Sequence, residues 1–224
     1  MTTKWVLRRK SDGRFKARCV VRGMEQFVND TYVPTLHISS LMTVLTVALT
    51  KKMVIKQLDI STAFLNSRLD DEIYVLPPPG VEDKYWKLNK ALYGLKQAPR
   101  AWYQTFSEFL KKELRFKCSL ADPCVFYSDN VMMAVYVDDI IIAAENQDLV
   151  DKIIHSIERR FEVHDYADCS KYLGLNIEVD NAAIFIDQTK YIDNIRLMFQ
   201  WMTWKIFRIV LLITNILSKK FLDH

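Results

Sequence analysis

The sequence predicts an α+β fold. Strand-like segments follow one another around short polar turns, and amphipathic helical stretches are interspersed among them. No internal repeat, low-complexity linker or regular βα alternation orders the chain. A doubly wound parallel sheet would need that alternation.

Each element has its own local reason. Residues 5–22 read as two short strands around the turn Ser11-Asp12-Gly13-Arg14. Residues 39–50 read as a helix capped by Ser39 or Ser40, with Leu41, Val44, Leu45, Ala48 and Leu49 on one stripe. Residues 53–60 read as a strand finishing in Asp59, and Pro77-Pro78-Pro79-Gly80 breaks off a short strand at 73–76. Pro99 suits the first turn of a helix whose buried face carries Trp102, Phe106, Phe109 and Leu110. Strands are expected at 125–128 and 132–144. A helix over 147–161 turns Leu149, Val150, Ile153, Ile154, Ile157 and Phe161 inward. Residues 172–187 read as a hairpin turning at Asp180-Asn181, and a last helix covers 189–199.

Composition narrows the setting. The chain has 224 residues, 50% hydrophobic and 26% charged, an ordinary globular balance that supports one or two domains. A net charge of +4 permits a nucleic-acid partner without demanding one. The four cysteines (Cys19, Cys118, Cys124, Cys169) form no C-x-x-C pair, which fits neither a zinc site nor a disulfide framework. A reducing, intracellular setting is expected, cytoplasmic or nuclear. The start MTTKWVLRRK lacks the apolar core of a signal peptide. The apolar tail over residues 199–217 is interrupted by Lys205 and Arg208, short of the roughly 18 apolar residues of a span, so no membrane partner is expected.

The most informative segment is AVYVDDIIIA at residues 134–143, where Asp138 and Asp139 interrupt a continuous apolar run. Burying such carboxylates in hydrocarbon is costly unless something compensates them. Setting the pair at a hairpin turn, with apolar arms in the sheet, solves that. A solvated Asp-Asp turn satisfies this pattern. So does a hard-oxygen site for Mg²⁺, built of acids held on buried strands. Asp59 closes another apolar strand in VIKQLDISTAFLN, residues 54–66. Alone it reads as a polar strand end. If the two strands are neighbours, three carboxylates converge, as two-metal phosphoryl chemistry requires.

Those strings resemble copia-type retrotransposon reverse transcriptases. YVDD at 136–139 is similar to the catalytic hairpin, and QLDISTAFLN at 57–66 to the first catalytic motif. LYGLKQAPRAWY at 92–103 resembles that group's most characteristic segment, KYLGLNIEV at 171–179 its primer grip, and KWVLRRKSDGRFKARCVVRG at 4–23 its entry into the fingers. Five motifs in family order, one of them a dozen residues long, are very specific. The resemblance covers residues 4–199, taken as a fingers and palm core, and leaves 200–224 as a hydrophobic tail unlike the family.

The resemblance implies a right-hand polymerase fold, with fingers, an antiparallel palm sheet flanked by helices, and a partial thumb. It implies RNA-directed DNA polymerisation with two Mg²⁺ ions, Mn²⁺ substituting, on an RNA or DNA template-primer with dNTPs, within a larger Pol polyprotein. Asp59 and Asp138 match the principal metal ligands and Asp139 the third acid. Tyr136 and Val137 would lie beside the primer terminus, with Leu173 and Gly174 in the primer grip. Phe64 would exclude a 2′-hydroxyl, and Ala63 would flank the sugar pocket. Tyr93 and Gly94 would lie against the incoming nucleotide, the glycine permitting close approach of backbone to ligand. Lys16 or Arg18 would hold the triphosphate.

Other features read as structure. Trp102, Tyr103 and Phe106 have core spacing, and Lys111-Lys112 and Arg159-Arg160 read as solvated helix faces open to template phosphates. His37, His155 and His164 lack metal-ligand spacing. Asp122-Pro123 reads as a turn, and Asp165 and Asp168 as part of a polar connection. The chain opens at the KWV segment, so the upstream part of the fingers is expected to be missing, and TYVPTLHISS lacks the family's arginine near His37. Two other readings stay open: a catalytically silent remnant that at most binds nucleic acid, and an unrelated receiver-like phosphotransfer domain built on a parallel sheet.

Overall fold

The structure, a computed structural model, describes residues 1–9, 13–27, 31–180, 183–199 and 213–214. In chain order its first elements are β1 (Thr3–Arg9), β2 (Phe15–Val21), α1 (Ile38–Thr50), β3 (Val54–Ile60), β4 (Ile73–Val75), β5 (Trp86–Leu88) and α2 (Ala98–Lys112). There follow β6 (Lys117–Cys118), β7 (Val125–Ser128), β8 (Val131–Tyr136), β9 (Asp139–Ala144), α3 (Gln147–Glu158) and β10 (Val163–Asp168). The last are β11 (Lys171–Tyr172), β12 (Leu175–Val179), β13 (Ala183–Asp187), α4 (Thr189–Phe199) and β14 (Ile213–Thr214). They fall into two compact units, Met1–Thr35 with Ser61–Phe116, and Leu36–Ile60 with Lys117–His224.

The first unit holds two antiparallel ribbons, β1–β2 and β4–β5, and helix α2. Its core joins Val21 at the end of β2, Ile73 and Val75 of β4, Ala91, Leu95 and Ala98. Pro99 sits in the first turn of α2, where its missing N–H costs nothing. Trp102, Phe106, Phe109 and Leu110 are buried, and Trp102 stacks on Phe106 with ring centroids 5.2 Å apart. The segment before α2 is clamped by Gln26. Its side-chain oxygen accepts from the Lys96 N–H at 2.9 Å, its side-chain nitrogen donates to Gln97, and its backbone carbonyl accepts from the Lys96 ammonium at 2.8 Å.

The second unit is built on a six-stranded antiparallel sheet in the order β10-β3-β9-β8-β7-β6. Helices α1 and α3 pack on its central strands. Ile140, Ile141, Ile142, Ala143 and Ala144 of β9 are all buried, which explains the unbroken apolar run: a strand covered on both faces need not alternate. The five apolar residues expected on the α1 stripe are all buried, at about 1.5–3 kcal/mol for each fully buried branched side chain. A smaller sheet runs β11-β12-β13-β14. Every named ladder is antiparallel, so among the described residues the α+β, hairpin-linked reading holds and the parallel sheet of a receiver-like domain is not found.

Several local expectations are corrected. Neither Ser39 nor Ser40 is the cap of α1, because the helix already starts at Ile38 after His37. Asp122 serves that end instead, accepting the His37 N–H at 2.9 Å and bonding the Ser40 hydroxyl. It is thus a buried carboxylate on a helix N-terminus as well as the turn residue expected, its carbonyl accepting the Val125 N–H at 3.0 Å. Helix α3 ends at Glu158, so Phe161 is buried from outside it, and Leu149 is half-buried. Asn146 caps α3 by accepting the Leu149 N–H. Residues 163–168 form β10, the sheet edge, and are not a loose connection: Asp168 pairs with Lys56 across the ladder and Asp165 stands opposite Asp59 in backbone register. Polar residues are at home on an edge strand, which is why periodicity did not reveal one.

The turn expected at Ser11-Asp12-Gly13-Arg14 and that at Asp180-Asn181 lie partly outside the described residues, as does the tail 200–224 except for β14. No described helix is long and apolar enough to cross a membrane.

Candidate active site

Two of the three predicted acids, Asp59 and Asp139, lie on the neighbouring central strands β3 and β9 of the second unit, and Asp138 lies in the β8–β9 loop. In the β3–β9 ladder Asp59 stands directly opposite Asp139. Directly opposed residues of an antiparallel pair project to the same face, so the two carboxylates share one. Asp138 is next to them, and its carbonyl accepts the Ile60 N–H at 2.8 Å.

The β8–β9 hairpin does not carry the Asp pair as a turn. Tyr136 pairs with Asp139, so the two-residue loop is Val137-Asp138, and Asp139 already belongs to β9. Val137 has φ +57°, the first central position of a loop type that glycine normally fills. A β-branched residue there is strained by about 1–3 kcal/mol. The hairpin keeps that conformation because its arms are fixed in the sheet.

Asp139 is half-buried, and burial pushes its carboxyl up to about 6. The Gln57 amide opposes this, and the charges of Asp59 and Asp138 reinforce it. Gln57 lies two residues before Asp59 on β3, hence on the same face. Its Nε2 donates to Asp139 Oδ1 at 2.8 Å and to the Lys171 carbonyl at 2.8 Å. Below the hairpin, the fully buried Tyr172 hydroxyl donates to the carbonyls of Ala134 at 3.0 Å and Asp139 at 3.2 Å. Burial, then the Asp139 charge, drives the Tyr172 phenol far upward and the Cys169 thiol to about 12, so neither ionises.

Tyr172 belongs to β11, and the next two residues, Leu173 and Gly174, form the β11–β12 turn with φ +52° and +78°. Positive φ at both central positions defines the loop that suits hairpin twist. The predicted primer-facing pair is therefore joined through Lys171 and Tyr172 to the acid-bearing hairpin.

Hard carboxylate oxygens suit Mg²⁺ and Mn²⁺, and the repulsion that adds to burial in lifting Asp139 is the kind a divalent cation relieves. Among the described residues, no three His, Cys, Asp or Glu side chains are gathered closely enough to hold a metal ion. The acids fit the ion in donor chemistry, and Asp59 and Asp139 stand in backbone register.

The first unit gathers the predicted nucleotide-side residues. After Thr62, at φ +49°, Ala63–Asn66 forms a 3₁₀ turn in which Ala63 is buried. The Phe64 ring lies 4.8 Å from that of Tyr93, centroid to centroid, and the Arg18 guanidinium sits 5.3 Å over the Tyr93 ring. Lys16 stands opposite Arg8, on the same ribbon face as Arg18. Gly94 also has a reason within the chain. At φ +91°, a Cβ there would lie 2.0 Å from the Val21 carbonyl oxygen, and one on Gly23 would lie 1.9 Å from the Gly94 oxygen. The close approach that these glycines permit is to the chain itself.

Sequence reasoning missed Gln57, Tyr172, Asp122 and Gln26. Gln57 was within reach of it, since period-two alternation puts it on the face of Asp59. The others act through partners 33 or more residues away in sequence.

The family model for reverse transcriptase (RNA-dependent DNA polymerase) matches residues 1–204. The chain is 36% identical, over 86% of its length, to the retrovirus-related Pol polyprotein from transposon TNT 1-94 of Nicotiana tabacum. It is 36% identical over 84% to that from transposon RE1 of Arabidopsis thaliana, and 37% over 72% to the Ty1-ER2 Gag-Pol polyprotein of Saccharomyces cerevisiae. The matched segments are 16%, 14% and 10% of those polyproteins, so the chain spans a small part of the length of these relatives. The chain belongs to the reverse transcriptase (RNA-dependent DNA polymerase) family, in its copia-type retrotransposon branch.

Proposed function

We propose that this chain carries the polymerising site of a retrotransposon reverse transcriptase, joining dNTPs to a primer 3′-hydroxyl on an RNA or DNA template, as one segment of a larger Pol polyprotein. The observation that supports this most is the Asp59–Asp139 register across β3 and β9 with Asp138 in the adjoining turn. Independently encoded acids, 79 and 80 residues apart in sequence, meet on one sheet. In this reading the second unit supplies a palm and the first unit fingers.

Asp59 and Asp138 would hold two Mg²⁺ or Mn²⁺ ions, with Asp139 as third acid. Such ions, when bound, activate the attacking hydroxyl and stabilise the leaving pyrophosphate. The chain's own groups do the remainder. Tyr136, exposed at the hairpin, and the strained Val137 present an apolar edge to the primer terminus. Leu173 and Gly174 hold the primer from the neighbouring hairpin. In the first unit, Phe64, braced by Tyr93, excludes a 2′-hydroxyl by bulk, and Ala63 flanks the sugar. Lys16 and Arg18 neutralise triphosphate charge.

The test is extension of oligo(dT) on poly(rA) with dTTP in Mg²⁺ and in Mn²⁺. Extension is expected, with rTTP poorly used by the wild type and better used by Phe64→Ala. Silence in both ions, together with template binding unaffected by Asp138→Asn, would leave a remnant that only binds nucleic acid.

A further inference from the structure

We propose that Gln57 is a positioning residue that sets the direction of the Asp139 carboxylate and ties it to the β11–β12 hairpin; this rests on the metal-dependent polymerase reading. Gln57 shares the face of β3 that carries Asp59. Its side-chain amide nitrogen has two hydrogens, and two acceptors take them: Asp139 Oδ1 on β9 and the Lys171 carbonyl on β11, each at 2.8 Å. Two acceptors on different strands fix the amide plane. A carboxylate with one oxygen held by that amide cannot swing freely, so the direction of its second oxygen is fixed as well.

The same link has a mechanical side. Lys171 and Tyr172 make up β11, and the turn Leu173-Gly174 follows directly. Gln57 grips that strand by the Lys171 carbonyl, and the Tyr172 hydroxyl grips the acid-bearing hairpin by the Ala134 and Asp139 carbonyls. Of these contacts, only the one from Gln57 reaches a carboxylate. The Tyr172 bonds reach backbone alone, so Tyr172 provides a natural control for stiffness without carboxylate contact.

The experiment measures Mn²⁺ binding to the full chain by electron paramagnetic resonance, melting without metal, and kcat and KM for dTTP. Gln57→Leu keeps bulk and removes the amide; Gln57→Met carries the same test if the leucine variant does not fold. Loss of a hydrogen bond that orients a metal ligand typically weakens metal affinity about 10–100-fold. We expect at least the lower figure, with kcat reduced and KM for dTTP within about twofold of wild type. Tyr172→Phe should lower the melting temperature and leave Mn²⁺ affinity within about twofold, because its partners are carbonyls outside the ligand set. Unchanged Mn²⁺ affinity in the Gln57 variant would reduce Gln57 to a structural bond and overturn the proposal. Equal weakening in Tyr172→Phe would also overturn it, since general loosening would then suffice. Asp139→Asn separates this from the broader reading: if that variant binds Mn²⁺ like wild type, the metal assignment falls and the role of Gln57 falls with it.

Discussion

Asp122, buried, and Asp139, half-buried, both lie in the second unit, and they are treated in opposite ways. Burial alone would lift either carboxyl. At Asp122 that rise is outweighed by the N–H groups of His37 and Cys124 and the Ser40 hydroxyl, and its carboxyl sits below the ordinary value. At Asp139 burial prevails over the Gln57 amide, Asp59 and Asp138 add repulsion, and the carboxyl rises to about 6. A carboxylate that serves the fold is surrounded by donors. One that stands beside two other acids is held in a state its own chain disfavours, which makes sense where a cation completes the set.

The sharpest way to break the comparison is Asp139→Asn. If Asp139 serves a cation, primer extension should fall on the order of 10³-fold, about 4 kcal/mol of barrier, with the fold intact by circular dichroism. Extension near the wild-type rate would reduce Asp139 to an awkward structural acid. Asp122→Ala should do the reverse in kind. It strands the donors at the start of α1 and at Cys124, and should lower stability by about 3 kcal/mol in urea unfolding. A loss under about 1 kcal/mol would mean that water replaces the carboxylate there.

pH sharpens the same contrast. The folded Asp139 carboxyl keeps its proton to about pH 6, whereas an unfolded aspartate releases it near 3.8. The folded chain therefore binds more protons in that window and loses stability as pH rises through it. In EDTA at pH 8, Asp139→Asn should be more stable than wild type by roughly 1–2 kcal/mol, below the full shift because solvent reaches part of the carboxyl. Asp122 has the opposite sign: its contribution is complete above its unfolded value of 3.8 and is lost as pH falls through the lower folded value. Urea unfolding at about pH 2, 4, 6 and 8 reads both, and a variant no more stable than wild type at pH 8 would refute the Asp139 assignment.

Much of this was legible in the sequence, for identifiable reasons. Helix α1 declared itself because its five buried residues fall on one 3.6-period stripe, and α2 because Pro99 marks its first turn. Asp59 and Asp138-Asp139 stood out because carboxylates interrupt apolar strands. What stayed hidden depends on distant partners. Asp122 read as a turn residue, which it is, but nothing within a few positions reveals that it also serves the start of a helix 85 residues earlier. Strand β10 was missed because its ladder to β3 is supported by Lys56 and Asp168 rather than by an apolar face. The register of the β8–β9 hairpin was missed by one residue. Sequence favoured an Asp-Asp turn, whereas the structure bends at Val137-Asp138, a choice against local preference that the arms of the sheet impose.

That choice gives the smallest effect and the finest test. The β11–β12 turn meets its positive-φ requirement partly with glycine, Gly174 at φ +78°, while the β8–β9 turn puts valine at φ +57°. Glycine relieves the strain of a β-branched residue there but frees the unfolded chain, so Val137→Gly should change stability by only about 1 kcal/mol, in the stabilising direction. Its effect on extension should be a loss, since Asp138 follows directly and a freer loop holds its carboxylate less firmly. Stability up with activity down would identify the strain as part of the site. If both fell, the valine side chain would be supporting the hairpin by packing, and the backbone conformation would be incidental to how Asp138 is held.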